Sequence, residues 1–323
     1  MTLYHTTSPH LRGKDTTARL MRDVILALLP ALIVGIALQG IRALAVTLIS
    51  MAAAVAAEGL YRLMTRQYQT IADGSAVLTG LLLAMTLPAT VPYWIPAVGA
   101  VFAVVVVKAM CGGLGQNVFN PALAARAFLM LLWPAYLVRF APSGVKFGLL
   151  DGADMVASAT PLHHMQIPAL PEEKLSALFL GNVGGTIGEV STLALLLGGV
   201  YLVARKVISM RIPTAYLGTV AILTLVFHKT DNALLWMACQ LCSGGVVLGA
   251  VFMATDYVTS PTTKAGQILY GIGCGILTVV FRYTGLYPEG VTYAILLMNA
   301  VVWILERYTA PRIFGNPKGG AAR

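Results

Sequence analysis

Residues 24–40, VILALLPALIVGIALQG, contain no ionisable side chain, and comparable apolar runs recur along the whole chain. In hydrocarbon every backbone N–H and C=O must be satisfied internally, so such runs span a membrane as helices. Only 11% of the 323 residues are charged, against about 25% in a soluble globular domain. Mean hydropathy is correspondingly positive, at +0.78. Polar residues and Gly/Pro breaks divide the runs into 24–40, 43–62, 74–88, 93–110, 120–138, 189–206, 213–228, 233–254, 266–284 and 290–308. The expected fold is an all-α polytopic membrane protein of about ten transmembrane helices. Residues 1–22 carry Arg12, Lys14, Arg19 and Arg22 with no short apolar core and cleavage site behind them. That pattern argues against a removed signal peptide.

The formal net charge is +9. In a membrane protein basic residues chiefly set orientation, and the aromatic–basic pattern of a nucleic-acid module is absent from the sequence. Placing the N-terminus in the cytoplasm assigns 16 of the 22 Lys and Arg residues to that side. Arg42, Arg139, Lys146, Lys174, Lys229 and Arg282 fall on the other. Both termini are therefore expected in the cytoplasm of an inner-membrane protein, with the long connection after the fifth helix outside.

"VLTGLLLAMTLPATVP" (77–92) echoes "VLGAVFMATDYVTSP" (247–261), and "NPALAARAFL" (120–129) takes the place of "EGVTYAILLM" (289–298). Two five-helix units joined in this way run in opposite directions through the membrane, an arrangement that forms sites where broken helices meet. The expected division is 1–138 for the first repeat, 139–188 for the external loop and 189–323 for the second repeat.

Cys239 and Cys242 have a CxxC spacing inside an apolar run, with no second pair nearby. A closed zinc or iron–sulfur site needs four ligands, so they are expected to be packing residues, and no metal site is expected. Three other stretches are too polar or glycine-rich for plain spans. In "CGGLGQNVFNPALAARAF" (111–128), Asn117 and Asn120 offer paired donors and acceptors, and Pro121 suits a first helical turn. Asn120 reads equally as an N-cap or as a ligand contact. "GNVGGTIGEVS" (181–191) offers amides at the start of the sixth helix, where an anion or Glu189 itself could sit. In "DMVASATPLHHM" (154–165), Ser158 and Ala159 leave the Thr160 hydroxyl sterically open, six residues after Asp154. Such openness has no packing benefit and would suit a hydroxyl that another enzyme must reach.

At these motifs the sequence resembles the D subunit of the Rnf complex, the membrane-bound ferredoxin:NAD oxidoreductase. It is similar, more distantly, to the B subunit of the sodium-pumping NADH:quinone reductase. "GGLGQNVFNPA", "SATPL", "GGTIGEVS", "FMATD" and "EGVTYAILLMN" stand in the family's order. The resemblance implies FMN esterified through its phosphate to Thr160 by a dedicated flavin transferase, with Ser158 in the acceptor element and Asp154 in the element the transferase reads. It also implies a riboflavin near Asn117 and Asn120, as in the more distant relative. Implied partners are the ferredoxin- and NAD-reacting subunits, iron–sulfur subunits and a second flavoprotein subunit. The chain has no G-x-G-x-x-G opening a strand–helix unit, and its four cysteines, with one CxxC and no second pair, do not fit a cluster. It is therefore expected to carry electrons within a complex, with no catalytic residue of its own, and not to turn over substrate alone. Tyr257 stands where the family usually has proline after the Asp of its "ATD" element, which weakens the case for Asp256 as a coupling-ion residue. Glu58 and Asp256 are the ionisable groups expected at membrane depth, Glu58 pairing with Arg62 at helical spacing. The rival reading is a small-solute or ion permease, since inverted repeats with broken helices are also transporter architecture.

Overall fold

Thr16 opens the first helix by accepting the Arg19 N–H on its hydroxyl at 3.3 Å, which relieves one orphan donor of the first turn. The computed structural model describes residues 16–140, 144–149, 175–181, 183–285 and 290–311. In chain order these form α1 (Thr17–Gln39), α2 (Ile41–Met64), α3 (Ser75–Met85), α4 (Trp94–Ala109), α5 (Pro121–Leu132) and α6 (Pro134–Leu137). Then come α7 (Leu175–Leu180), α8 (Thr192–Ala204), α9 (Arg211–Val226), α10 (Ala233–Cys242), α11 (Val246–Met253), α12 (Lys264–Thr284) and α13 (Val291–Thr309). No sheet forms among the described residues; a single bridge joins Gly40 to Phe147.

α1, α2, α12 and α13 are long and apolar enough to cross a membrane, and α10 with α11 makes a fifth span bent by 62°. The chain is a multi-pass membrane protein. The remaining apolar helices are shorter, between 10 and 17 residues.

The structure moves several expected boundaries. α1 starts at Thr17, not 24, and so takes in Asp23. That carboxylate is buried and accepts from Tyr201 Oη and Arg205 Nη2, both at 3.2 Å. A buried charge needs such partners, and this one ties α1 to α8. α3 stops at Met85, short of 88, because Pro88 has no N–H to continue the ladder. Pro134 splits the 120–138 run into α5 and α6. The 233–254 run breaks at Ser243–Gly245, where Gly244 and Gly245 both have φ of 66°. Residues with that φ cannot continue a right-handed helix, and glycine adopts it without strain.

α1 packs on α8, α2 on α3 and α4, and α9 on α12, around a main apolar core, with a smaller separate cluster of Leu178, Trp236 and Cys239. Four basic residues counted in the charge tally are buried: Lys108 and Arg126 from one side, Arg42 and Arg282 from the other. They serve the interior, and setting aside two from each side preserves the bias. Arg42, for example, donates to the carbonyls of Ala89 at 2.8 Å and Val91 at 3.2 Å, securing the unwound stretch after α3.

Candidate functional site

Two half-helices organise the centre of the molecule. α3 begins after Gly74, with φ of 76°, and α11 begins after Gly245, with φ of 66°. Both end at a methionine whose carbonyl is taken up from the other half of the chain. Gly188 N donates to Met85 O at 2.8 Å, and Asn120 Nδ2 donates to Met253 O at 3.2 Å. The last turns of α4 and α11 widen to π geometry, with i→i+5 bonds such as Met110 N to Val105 O at 2.9 Å and Ala254 N to Gly249 O at 2.7 Å. π turns recur at functional sites because they re-aim side chains; here the widened turn of α4 carries Lys108.

A cavity of about 80 Å³ lies between the half-helices. Its polar wall includes Ser75, Lys108, Asn117, Asn120 and Asp256, and Leu82 of α3 lines it together with Phe252 of α11. Asp256 lies just beyond α11 and accepts from Thr259 Oγ1 at 3.2 Å. Lys108 Nζ donates to Ser75 Oγ at 2.6 Å and to Glu58 Oε1 at 3.1 Å. Asp73 Oδ1 accepts from Ser75 N at 2.7 Å and Ser75 Oγ at 2.5 Å.

The structure brings Asn117 and Asn120 together at this cavity. Asn120 is the N-cap of α5, accepting from Ala122 N at 3.1 Å and Leu123 N at 3.3 Å. Asn117 is buried and donates to Phe119 O at 3.1 Å. Both amide groups are engaged by protein. The polar atoms are of the kind that hold a flavin ring, but the space is not. Ligand pockets run to roughly 300–1,000 Å³, so riboflavin does not fit this cavity as it stands.

Asn120→Ala is expected to lower stability by about 1–2 kcal/mol, from the lost cap and the lost bond to Met253 O. Asn120→Asp keeps the cap acceptor and should lose only part of that. Thermal unfolding of the purified protein in detergent checks both.

The glycine-rich stretch before α8 differs from expectation. Ser191, not an earlier residue, caps α8, accepting from Ala194 N at 3.3 Å, so Glu189 precedes the helix. Three consecutive amides of the stretch are used: Ile187 N donates to Leu87 O at 3.0 Å, Gly188 N to Met85 O at 2.8 Å and Glu189 N to Thr186 O at 3.2 Å. Residues 184–188 are buried against the end of α3. Glu189 instead lies against Gly245, where any Cβ would collide with its Oε1, and interacts electrostatically with Arg126 on α5.

Glu58 does lie beside Arg62, at 3.5 Å, but Lys108 is closer. Sequence reasoning counted Lys108 only as a charge at the end of a run. Its position deep in "VVVVKAM" was the available signal. The other residue it missed is Arg282, which donates to Gln240 O at 2.7 Å, Gln240 Oε1 at 2.8 Å and Ser243 O at 2.8 Å. Cys111, Cys239, Cys242 and Cys274 are free thiols. Asp154, Ser158 and Thr160 lie outside the described residues.

The model of the family described as NQR2, RnfD, RnfE matches residues 4–315. The chain belongs to that family. It is 46% identical to the D subunit of the Na(+)-translocating ferredoxin:NAD(+) oxidoreductase complex of Acetobacterium woodii, over 96% of this chain and 95% of the relative. It is 42% identical to the D subunit of the proton-translocating ferredoxin:NAD(+) oxidoreductase complex of Clostridium ljungdahlii, over 95% of each. The D subunit of the ion-translocating oxidoreductase complex of Stutzerimonas stutzeri is 39% identical, over 95% of this chain and 94% of its own. Two similar relatives are thus named for different ions, so family membership leaves the ion open.

Proposed function

We propose that this chain is the D subunit of an ion-translocating ferredoxin:NAD oxidoreductase complex and carries electrons through FMN esterified to Thr160. Family membership and the full-length likeness to D subunits support the complex. The observation that carries the flavin reading is Ser158-Ala159-Thr160 six residues after Asp154, in the longest polar connection of the chain. A bound flavin supplies one- and two-electron chemistry; the protein supplies its position and tunes its potential. The deciding experiment is in-gel flavin fluorescence of the denatured polypeptide, since only a covalent flavin survives denaturation. A pure permease has no use for one, so an unlabelled band would favour that rival. Riboflavin would require the cavity beside Asn117 and Asn120 to widen, and free flavin released on denaturation reports it.

Under this reading the partners are the ferredoxin- and NAD-reacting subunits, the iron–sulfur subunits and the second flavoprotein subunit, with a flavin transferase acting during maturation. The membrane part consists of two inverted five-helix repeats, α1–α5 and α8–α13, with α10 and α11 as one broken span. In support, both half-helices follow a left-handed glycine, and a basic residue in the last turn of the next long helix reaches the start of each.

The charge bias places the N-terminus in the cytoplasm and the Thr160 loop outside. A cysteine at Ser143 is then expected to react with an impermeant thiol reagent in intact cells. One at Ser209, in the connection between α8 and α9, should react only after permeabilisation. The reverse pattern would overturn the orientation.

A further inference from the structure

The two basic residues that reach the half-helix starts are held in different ways. Arg282 spends its Nη atoms on Gln240 O and Oε1, Ser243 O and Gly244 O, at 2.7–3.3 Å. A planar guanidinium is pre-organised for such a fork, and four acceptors hold its two Nη atoms although its Nε has no partner among the described residues. Lys108 holds one carboxylate oxygen and one hydroxyl, Glu58 Oε1 and Ser75 Oγ, and the residue lines the cavity that Asp256 also lines. An ammonium is a compact point charge on a flexible stem, and another monocation can take its place.

Glu58 is prepared for such a replacement. The residue is 2% exposed, and its Oε1 is shared by Lys108, Thr70 Oγ1 at 2.9 Å and Arg62 Nε at 3.5 Å. Its Oε2 is just as buried and has no hydrogen-bond partner among the described residues. Leaving a buried carboxylate oxygen unsatisfied is costly, and no neighbouring donor among those residues relieves it. The hydroxyl oxygens of Thr70 and Ser75 already lie around the pair. No group of three or more His, Cys, Asp or Glu side chains able to hold a metal ion occurs among the described residues. One carboxylate with hydroxyls suits a single positive charge.

The geometry points to Glu58 as an exchangeable site for a monovalent alkali cation, with Lys108 as the competitor built into the chain. The entering cation takes both carboxylate oxygens with the Thr70 and Ser75 hydroxyls, and the displaced ammonium turns into the cavity toward Asp256. Charge at Glu58 is unchanged, because one monocation replaces another; the one positive charge that entry adds is met at Asp256, the carboxylate that receives the lysine. The inference deepens the ion-translocating reading and rests on it only for the direction of travel.

The test uses the assembled complex in detergent and needs no electron transfer, so it fails or succeeds independently of the flavin assignment. Radioactive sodium is the probe for equilibrium binding, with choline chloride holding ionic strength constant. Lys108→Gln is expected to bind sodium several-fold more tightly than the unaltered protein, since the competitor is gone. Glu58→Gln should weaken binding roughly tenfold or more, the scale on which metal sites lose affinity when their supporting groups are removed. A merely structural ion pair predicts the same change in both variants, and that result overturns the proposal. In the unaltered protein, sodium should raise acetylation of Lys108 by acetic anhydride, which releases acetate, several-fold over choline, read by peptide mass spectrometry. Equal labelling in the two salts overturns it without any mutant, as does labelling that answers to pH alone.

Discussion

Thr160→Ala is expected to leave the polypeptide without flavin fluorescence on a denaturing gel while it still inserts and assembles. The proposed linkage is an ester of the FMN phosphate, and alanine has no oxygen with which to form it. The helices are untouched by a change in a connection between them. Thr160→Ser keeps a hydroxyl and should retain part of the loading. Fluorescence persisting on the Thr160→Ala band would move the attachment elsewhere. Asp154→Ala should reduce loading without removing the acceptor, which separates recognition from chemistry.

Asp256→Asn is expected to lower ion-coupled turnover of the complex by roughly tenfold or more, about 1.4 kcal/mol in the limiting step, with covalent flavin unchanged. Asparagine keeps the volume and can still accept from Thr259 Oγ1, which now lies 3.2 Å from the carboxylate. Only the charge is lost. That charge faces the cavity shared with Lys108, where α11 has ended and the backbone is unwound, the setting in which transporters place ion-handling groups. Ion uptake by inverted vesicles across a range of sodium concentration and pH measures the effect, with gel fluorescence as the loading control. Normal coupling throughout would make Asp256 a structural carboxylate. The tyrosine that replaces the family's usual proline at 257 gives that outcome a physical basis, since its hydroxyl donates to Val207 O and holds the loop by another route.

Hydrophobic runs located the long helices because spanning a membrane imposes both length and composition. Where the chain breaks inside a run, the sequence was less informative. "CSGGVVLG" continues apolar on either side of Gly244 and Gly245, and only the left-handed backbone of both glycines creates the 62° bend. The Asn120 cap was readable from Asn-Pro alone, since capping is local. Its second bond was not, because Met253 is 133 residues away. Glu58 announced itself as a charge in an apolar run and pairs with Arg62 as helical spacing expects, yet its second and closer partner depends on how α2 packs against α4. Lys108 lies 50 residues from it, and helical spacing favoured Arg62. The run 189–206 put Glu189 at the start of its helix; the hydroxyl of Ser191 takes the cap and leaves Glu189 outside.

The two bonds that close the half-helices also bear on how the protein is made. Met85 O is satisfied by Gly188 N, and Met253 O by the amide of Asn120. When the ribosome has delivered α1–α5, Met85 O still lacks the donor that arrives about one hundred residues later, in a solvent where an unmet carbonyl is expensive. The amide of Asn120 likewise waits for residue 253. Early insertion therefore yields a half-built bundle that only the later half can complete. Separately expressed halves should be degraded singly and accumulate when they are produced together in one cell.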